Sequence, residues 1–205
     1  MQPEKIKNKG QGRVFRSDYL EMMTKSHPIV IYSIYIPIIA FLLYYGIAYK
    51  QIPPGKEALL LIAGFLSWTF FEYFLHRTIF HMVVETERAK KIIYKLHGVH
   101  HEYPRDKERL FMPPVPSLII ACLVFSIVHA AIGWNSLAFF PGFLLGYLAY
   151  GSMHFAIHAF TPPKYLKALW RNHHLHHYKT PDKGFGVSSV IWDVIFGTVP
   201  KKEEQ

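Results

Sequence analysis

The sequence predicts an all-α membrane protein with four transmembrane helices and a cytoplasmic helical cap carrying a histidine-rich two-metal site. Three observations predict it. First, charge is segregated: Ser26–Tyr49, Ala58–Phe71 and Leu110–Pro163 contain no Asp, Glu, Lys or Arg. A bilayer core takes about 20 apolar residues per helix, and a soluble domain of 205 residues has little use for such runs. Second, with four spans the basic residues fall on one side. The N-terminal segment, the 77–116 segment and the tail carry 6, 8 and 7 Lys/Arg, against Lys50 and Lys56 on the other side. Basic residues favour the cytoplasmic side, whereas three or five spans would split these segments. Third, eleven of the thirteen histidines meet at one membrane face on that side, at the ends of spans two and four and in the segments that follow them.

Residues 1–27 form a basic lead-in, with Met1–Gly12 expected to be partly disordered. A single domain, 28–205, follows. Its first span is 28–48. That run starts after a polar stretch and lacks a small-residue cleavage site, so it reads as a permanent anchor rather than a signal peptide. Ile52-Pro53-Pro54-Gly55 is a turn signal, and the second span is 57–80. The charged segment 81–116 ends in Pro113-Pro114-Val115-Pro116. Spans 117–131 and 136–158 make a hairpin around Gly133-Trp134-Asn135-Ser136, Thr161-Pro162-Pro163 stops the fourth span, and 159–205 completes the cap.

The net charge of +9 comes from basic residues flanking apolar runs, which argues against a nucleic-acid partner. The single Cys122 can form no internal disulfide and is expected to be a small apolar packing residue.

Spacing selects ten histidines. Positions i, i+3 and i+4 of a helix share one arc, as in His97/His100/His101 and His173/His176/His177, and His154/His158 is an i, i+4 pair. His76/His81 is i, i+5 and needs a helix end, a π-bulge or two different metals. His174 points away from His176 and is left out, as are His27 and His129, which fit no pattern. Ten imidazoles exceed the four ligands of a tetrahedral zinc and suit two metals with about five nitrogens each. Imidazole accommodates Fe, Zn, Cu or Ni, so the ligands alone do not name the metal.

Glu72-Tyr73-x-Leu75-His76-Arg77-x-x-Phe80-His81 resembles the first box of the membrane fatty acid hydroxylase superfamily. His97-Gly98-x-His100-His101-x-x-Pro104-x-Asp106-x-x-Arg109-Leu110 resembles its fatty acid 2-hydroxylase branch, as do Lys183–Ser188 and Trp192-Asp193-x-x-Phe196-Gly197-Thr198. His154-x-x-x-His158 and His173-x-x-His176-His177 match the remaining boxes, so the resemblance runs from about Leu60 to Thr198.

The resemblance implies two iron ions that use O2 to hydroxylate the carbon next to an acyl carbonyl, the substrate being the N-acyl chain of a sphingolipid. Zinc, higher in the Irving–Williams order, can replace iron on purification. Electrons are expected from cytochrome b5 or a ferredoxin-type donor, as a separate protein because no cytochrome b5 domain is fused. The active site would face the cytoplasm, from the endoplasmic reticulum of a eukaryote or the inner membrane of a bacterium.

Glu72, one turn before His76, is a candidate to accept from its ring, with a salt bridge to Arg77 as the alternative. Asp106, Asp193 and Tyr150 are candidates for similar supporting roles. Eukaryotic members of the family it resembles carry Tyr-Asp where this chain has Tyr150-Gly151, so no role carries over for that acid. A sister sterol oxidase or lipid desaturase, a non-enzymatic metal-binding membrane protein and a zinc-bound pseudoenzyme stay open. A transporter would place its ligands near mid-membrane.

Overall fold

A computed structural model describes residues 6–201, and among these the regular structure is entirely helical. The short α1 (Asp18–Met22) lies within the lead-in. Pro28 starts α2 (Pro28–Ala48), where its missing N–H costs nothing. His27 caps this helix by accepting from the Ile29 N–H at 3.3 Å. After a turn in which Gln51 takes a positive φ, Pro54 opens α3 (Pro54–Leu75). The helix then widens into a π-helical turn over His76–Phe80.

The hairpin follows as expected. Proline opens α6 (Pro114–Ile132), Gly133 ends it at φ +58°, and α7 (Ser136–Ala159) returns after a 3-10 turn. Three stretches are long and apolar enough to cross a membrane: Pro28–Ala48, Pro54–Phe80 and Lys107–Ala159. The third has 53 residues. As one helix it would run about 80 Å, far beyond a hydrocarbon core of about 30 Å; it bends back at Gly133–Asn135.

α7 is the buried centre, packed along α3 and α2. Gly64 and Gly142 let α3 and α7 approach backbone to backbone. A Cβ on Gly142 would lie 1.9 Å from the Leu61 carbonyl oxygen, and one on Gly64 1.9 Å from that of Phe139. Small residues at such a crossing are how helices pack closely in lipid. Tyr35, Trp68, Phe143 and Tyr147 fill the space beside it, and the outer faces expose Phe41, Leu59, Ile119 and Leu123. Cys122 lies on the exposed face of α6 and so is not the packing residue expected.

The cap comprises α4 (Glu87–Ile93), a π-helical turn at Tyr94–Gly98, α5 (Val99–Glu102), α8 (Lys167–Tyr178) and α9 (Ile191–Ile195). The lead-in, where described, is docked rather than disordered: Lys7 N–H donates to the Glu102 carbonyl at 2.7 Å, and the Arg109 guanidinium holds the Gly12 carbonyl and pairs with buried Glu21. Met1–Lys5 lie outside the described residues.

Candidate metal centre

The α3/α7 crossing sets two ends of the bundle side by side, and each end carries a histidine pair. His76 and His81 follow α3, and their i, i+5 spacing is resolved by the π-helical turn, where His81 N–H donates to the His76 carbonyl at 3.1 Å. One turn of this wider helix brings both rings to one face. His154 and His158 lie on the last turns of α7.

The ten selected histidines gather into two groups. Group one is His76, His81, His97, His101 and His176; group two is His100, His154, His158, His173 and His177. Within each, the available nitrogens all lie within 4.8 Å of one another. The two His-x-x-His-His motifs interlock: the first gives two rings to group one and one to group two, and the second does the reverse. The groups touch where His101 and His177 stack at 4.2 Å. His174, one residue from the cluster, is exposed and packs on Tyr178. His129 bonds Ser136 at 2.9 Å, away from both groups.

The inner nitrogens fit a cation. In group one, His76, His97, His101 and His176 form a chain of Nε2 contacts at 3.1, 2.9 and 3.2 Å. In group two, His154, His100, His177, His173 and His158 form another at 2.9, 3.1, 3.1 and 2.9 Å. A metal–nitrogen bond of about 2.1 Å puts neighbouring ligands about 3.0 Å apart at right angles and about 3.4 Å apart in a tetrahedron.

Hydrogen bonding alone cannot satisfy these contacts. Nδ1–H of His76, His154 and His176 donates to the carbonyls of Phe185 (2.6 Å), Leu110 (3.0 Å) and Lys183 (2.7 Å). A carbonyl only accepts, so each of these rings turns an Nε2 lone pair inward. Nε2 of His97 and of His100 each face two other nitrogens, and a ring nitrogen can pair with only one. His81 Nε2 is buried with no hydrogen-bond partner among the described residues. A cation at each focus satisfies all of these lone pairs together.

Electrostatics favours the same species. Burial, reinforced by neighbouring imidazoles, holds His97, His100, His101, His173, His176 and His177 well below the usual histidine range. Burial alone brings His81 to about 4. All are neutral donors at physiological pH.

The carbonyl anchors are what the sequence reading missed, since a backbone carbonyl leaves no mark in residue type. Their supports were visible. Glu72 does not accept from His76; it accepts from the Val187 and Ser188 N–H groups at 2.7 and 2.9 Å and from the Ser188 hydroxyl. Arg77 turns to the Tyr73 hydroxyl at 2.9 Å instead of to Glu72. Asp193, fully buried, accepts from Phe185 and Gly186 N–H at 2.9 and 2.8 Å and from Thr198 Oγ1 at 2.8 Å. Both carboxylates therefore hold the loop that anchors His76 and His176.

Asp106 faces the lead-in, accepting from Gly12 N–H at 3.2 Å and pairing with Arg109 at 3.4 Å. Tyr150 lies flat beside His154, with ring centroids 5.8 Å apart. Gly151 leaves no room for an acid, because a Cβ there would lie 2.2 Å from the Phe111 ring.

A cavity of about 910 Å³ reaches both groups, through His81, His97 and His101 of one and His177 of the other. Its remaining wall includes Phe80, Val83, Val84, Ile93 and Phe185. Phe80 stacks on His97 at 5.0 Å, and Phe185 closes over His76, His81 and His176.

This arrangement has relatives. The fatty acid hydroxylase family model matches residues 61–198. Dihydroceramide fatty acyl 2-hydroxylase FAH1 of Arabidopsis thaliana is 34% identical over 202 residues, covering 95% of this chain and 83% of that protein. Ceramide very long chain fatty acid hydroxylase SCS7 of Saccharomyces cerevisiae is 35% identical over 194 residues, 93% of this chain and 50% of that protein. A solved structure of full-length scs7p, with only its hydroxylase domain visible, matches with a TM-score of 0.84 at 34% identity, covering 90% of this chain and 70% of that one. With most of its length matched and its histidine boxes assembled, this chain belongs to the fatty acid hydroxylase family.

Proposed function

We propose that this protein hydroxylates C2 of a long acyl chain, the N-acyl chain of a sphingolipid, at a centre of two irons held by the two histidine groups. The observation that carries the reading is the cavity: one space, mainly apolar but with Arg77, Lys90, Lys179 and Asp182 also on its wall, reaches both sets of imidazoles. The 2-hydroxylase name of the Arabidopsis relative supports the position of attack.

Bound irons supply O2-activating redox chemistry. The overall change takes one C–H bond, O2, two electrons and two protons to one C–OH bond and water. The chain's own residues do the rest. The carbonyls of Phe185, Leu110 and Lys183 fix the tautomers of His76, His154 and His176, keeping inner lone pairs free. Phe80, Val83, Val84 and Phe185 receive the apolar chain and exclude water, which favours oxidation of the bound C–H bond over side reactions. Electrons come from a separate donor protein such as cytochrome b5 or a ferredoxin.

The single domain 28–205 crosses the membrane four times, with both termini and the cap in the cytoplasm, at the endoplasmic reticulum or a bacterial inner membrane. The bias of 21 basic residues to 2 supports this. In a Cys122→Ser background, an impermeant thiol reagent applied from outside should label Gly55→Cys and not Lys95→Cys; the opposite pattern rejects four spans.

The function is tested by expressing the chain with a donor and analysing host lipids by mass spectrometry. One added oxygen at C2 of an amide-linked acyl chain is expected. A hydroxylated sterol or a new double bond contradicts the reading.

A further inference from the structure

We propose that the outer face of α8 is the docking surface for the acidic face of a one-electron carrier protein. The inference rests on the proposed hydroxylase reading, in which each turnover takes two electrons from outside the chain. They must enter where the surface lies close to the histidine groups.

α8 meets that need. Its inner face supplies His173, His176 and His177. Its outer face exposes Lys167, Arg171, His174 and Tyr178, which at i, i+4, i+7 and i+11 form one stripe. Exposed His174 is the chain neighbour of His173, and its ring lies 6.5 Å from that of His158. Surface and metal-facing rings are thus separated by one helix wall.

Charge selects the partner. From Phe160 to Thr180 there are four Lys/Arg and no Asp or Glu. Lys167, Arg171 and His174 line an open concavity of about 710 Å³ with Lys179, its floor and edge being the apolar Pro162, Ala168, Trp170 and Leu175, and Arg105 acts electrostatically on His174 from the neighbouring cap segment. Such a field steers an acidic partner and speeds its encounter.

An anionic membrane surface would share the charge preference, but the stripe lacks what a lipid-seated helix needs. α4 and its continuation show that other pattern, exposing Ile92 and Leu96 beside Lys91 and Lys95. The α8 stripe presents no aliphatic side chain.

The test uses metal-loaded protein in neutral-lipid nanodiscs and a soluble cytochrome b5 domain as donor. Lys167→Glu/Arg171→Glu should weaken donor binding at low salt at least tenfold and flatten its salt dependence. Donor-driven kcat/KM should fall equally, while turnover with dithionite and a small mediator stays within twofold. The same charge change on α4, Arg88→Glu/Lys91→Glu, should leave donor binding within twofold. Unchanged donor binding in the α8 variant overturns the proposal, as does an equal loss in the α4 variant. So does an α8 variant that loses binding to phosphatidylserine vesicles while keeping the donor. If the wild type makes no 2-hydroxy product with either reductant, the hydroxylase reading fails, and the binding comparison still decides the docking face.

Discussion

Group one takes two of its anchors, the carbonyls of Lys183 and Phe185, from the loop after α8, whereas group two takes one, the Leu110 carbonyl, from the linker before α6. The loop at group one is fastened by Glu72 and Asp193, and the cavity is walled mainly by that group. In group two, Nδ1 of His100, His173 and His177 is buried without a hydrogen-bond partner among the described residues. Those rings are placed by the packing of α5, α7 and α8. Two rings of group one are thus held by polar contacts beside the proposed substrate space, against one ring of group two, where helix packing places the others.

The largest effect should come from breaking the interlock. His176→Ala should empty group one, although its sequence neighbour His177 belongs to group two; His177→Ala should empty group two. Each should abolish product formation. Elemental analysis of the two variants, loaded alongside the wild type, should show one metal lost from each. Loss of the same metal from both would merge the groups.

A smaller effect separates the groups by their supports. Asp193→Ala frees the Phe185 and Gly186 N–H groups and loosens the loop. Removing such support costs about 10–100-fold in metal affinity, and the loss should fall on group one. Competition with a chelator measures it; equal losses from both groups would remove the distinction.

The helical fold and the gathering of the ten histidines were legible because apolar runs and histidine spacing are written in residue type. The partition was not. His97, His100 and His101 share a helical arc, and only the placement of α5 between the ends of α3 and α7 sends His100 one way and its companions the other. Spacing left three choices open for His76 and His81, and the π-helical turn decides among them. Glu72 was noticed for its place one turn before His76, but its partners lie more than a hundred residues away at Val187 and Ser188.

Next in size is a pH effect on the metal-free protein. Burial and neighbouring imidazoles depress His97 and its companions, and burial brings His81 to about 4. In the unfolded chain they titrate near about 6.5. Below that value the unfolded state binds more protons, so stability should be constant above it and fall as pH drops toward 4. Thermal unfolding in detergent between about pH 7.5 and 4.5 tests this; a flat midpoint would contradict neutral buried rings.

The smallest effect marks the cluster's edge. His174→Ala should retain both metals and keep turnover with a small-molecule reductant within about twofold, since the ring is exposed and outside both groups. A metal lost here would redraw group two.

The most direct test of the account is an anomalous-difference map from crystals of the iron-loaded protein. It should show two peaks, one enclosed by His76, His81, His97, His101 and His176, the other by His100, His154, His158, His173 and His177. A single peak, or one ligated by rings from both groups, would contradict the two-centre arrangement.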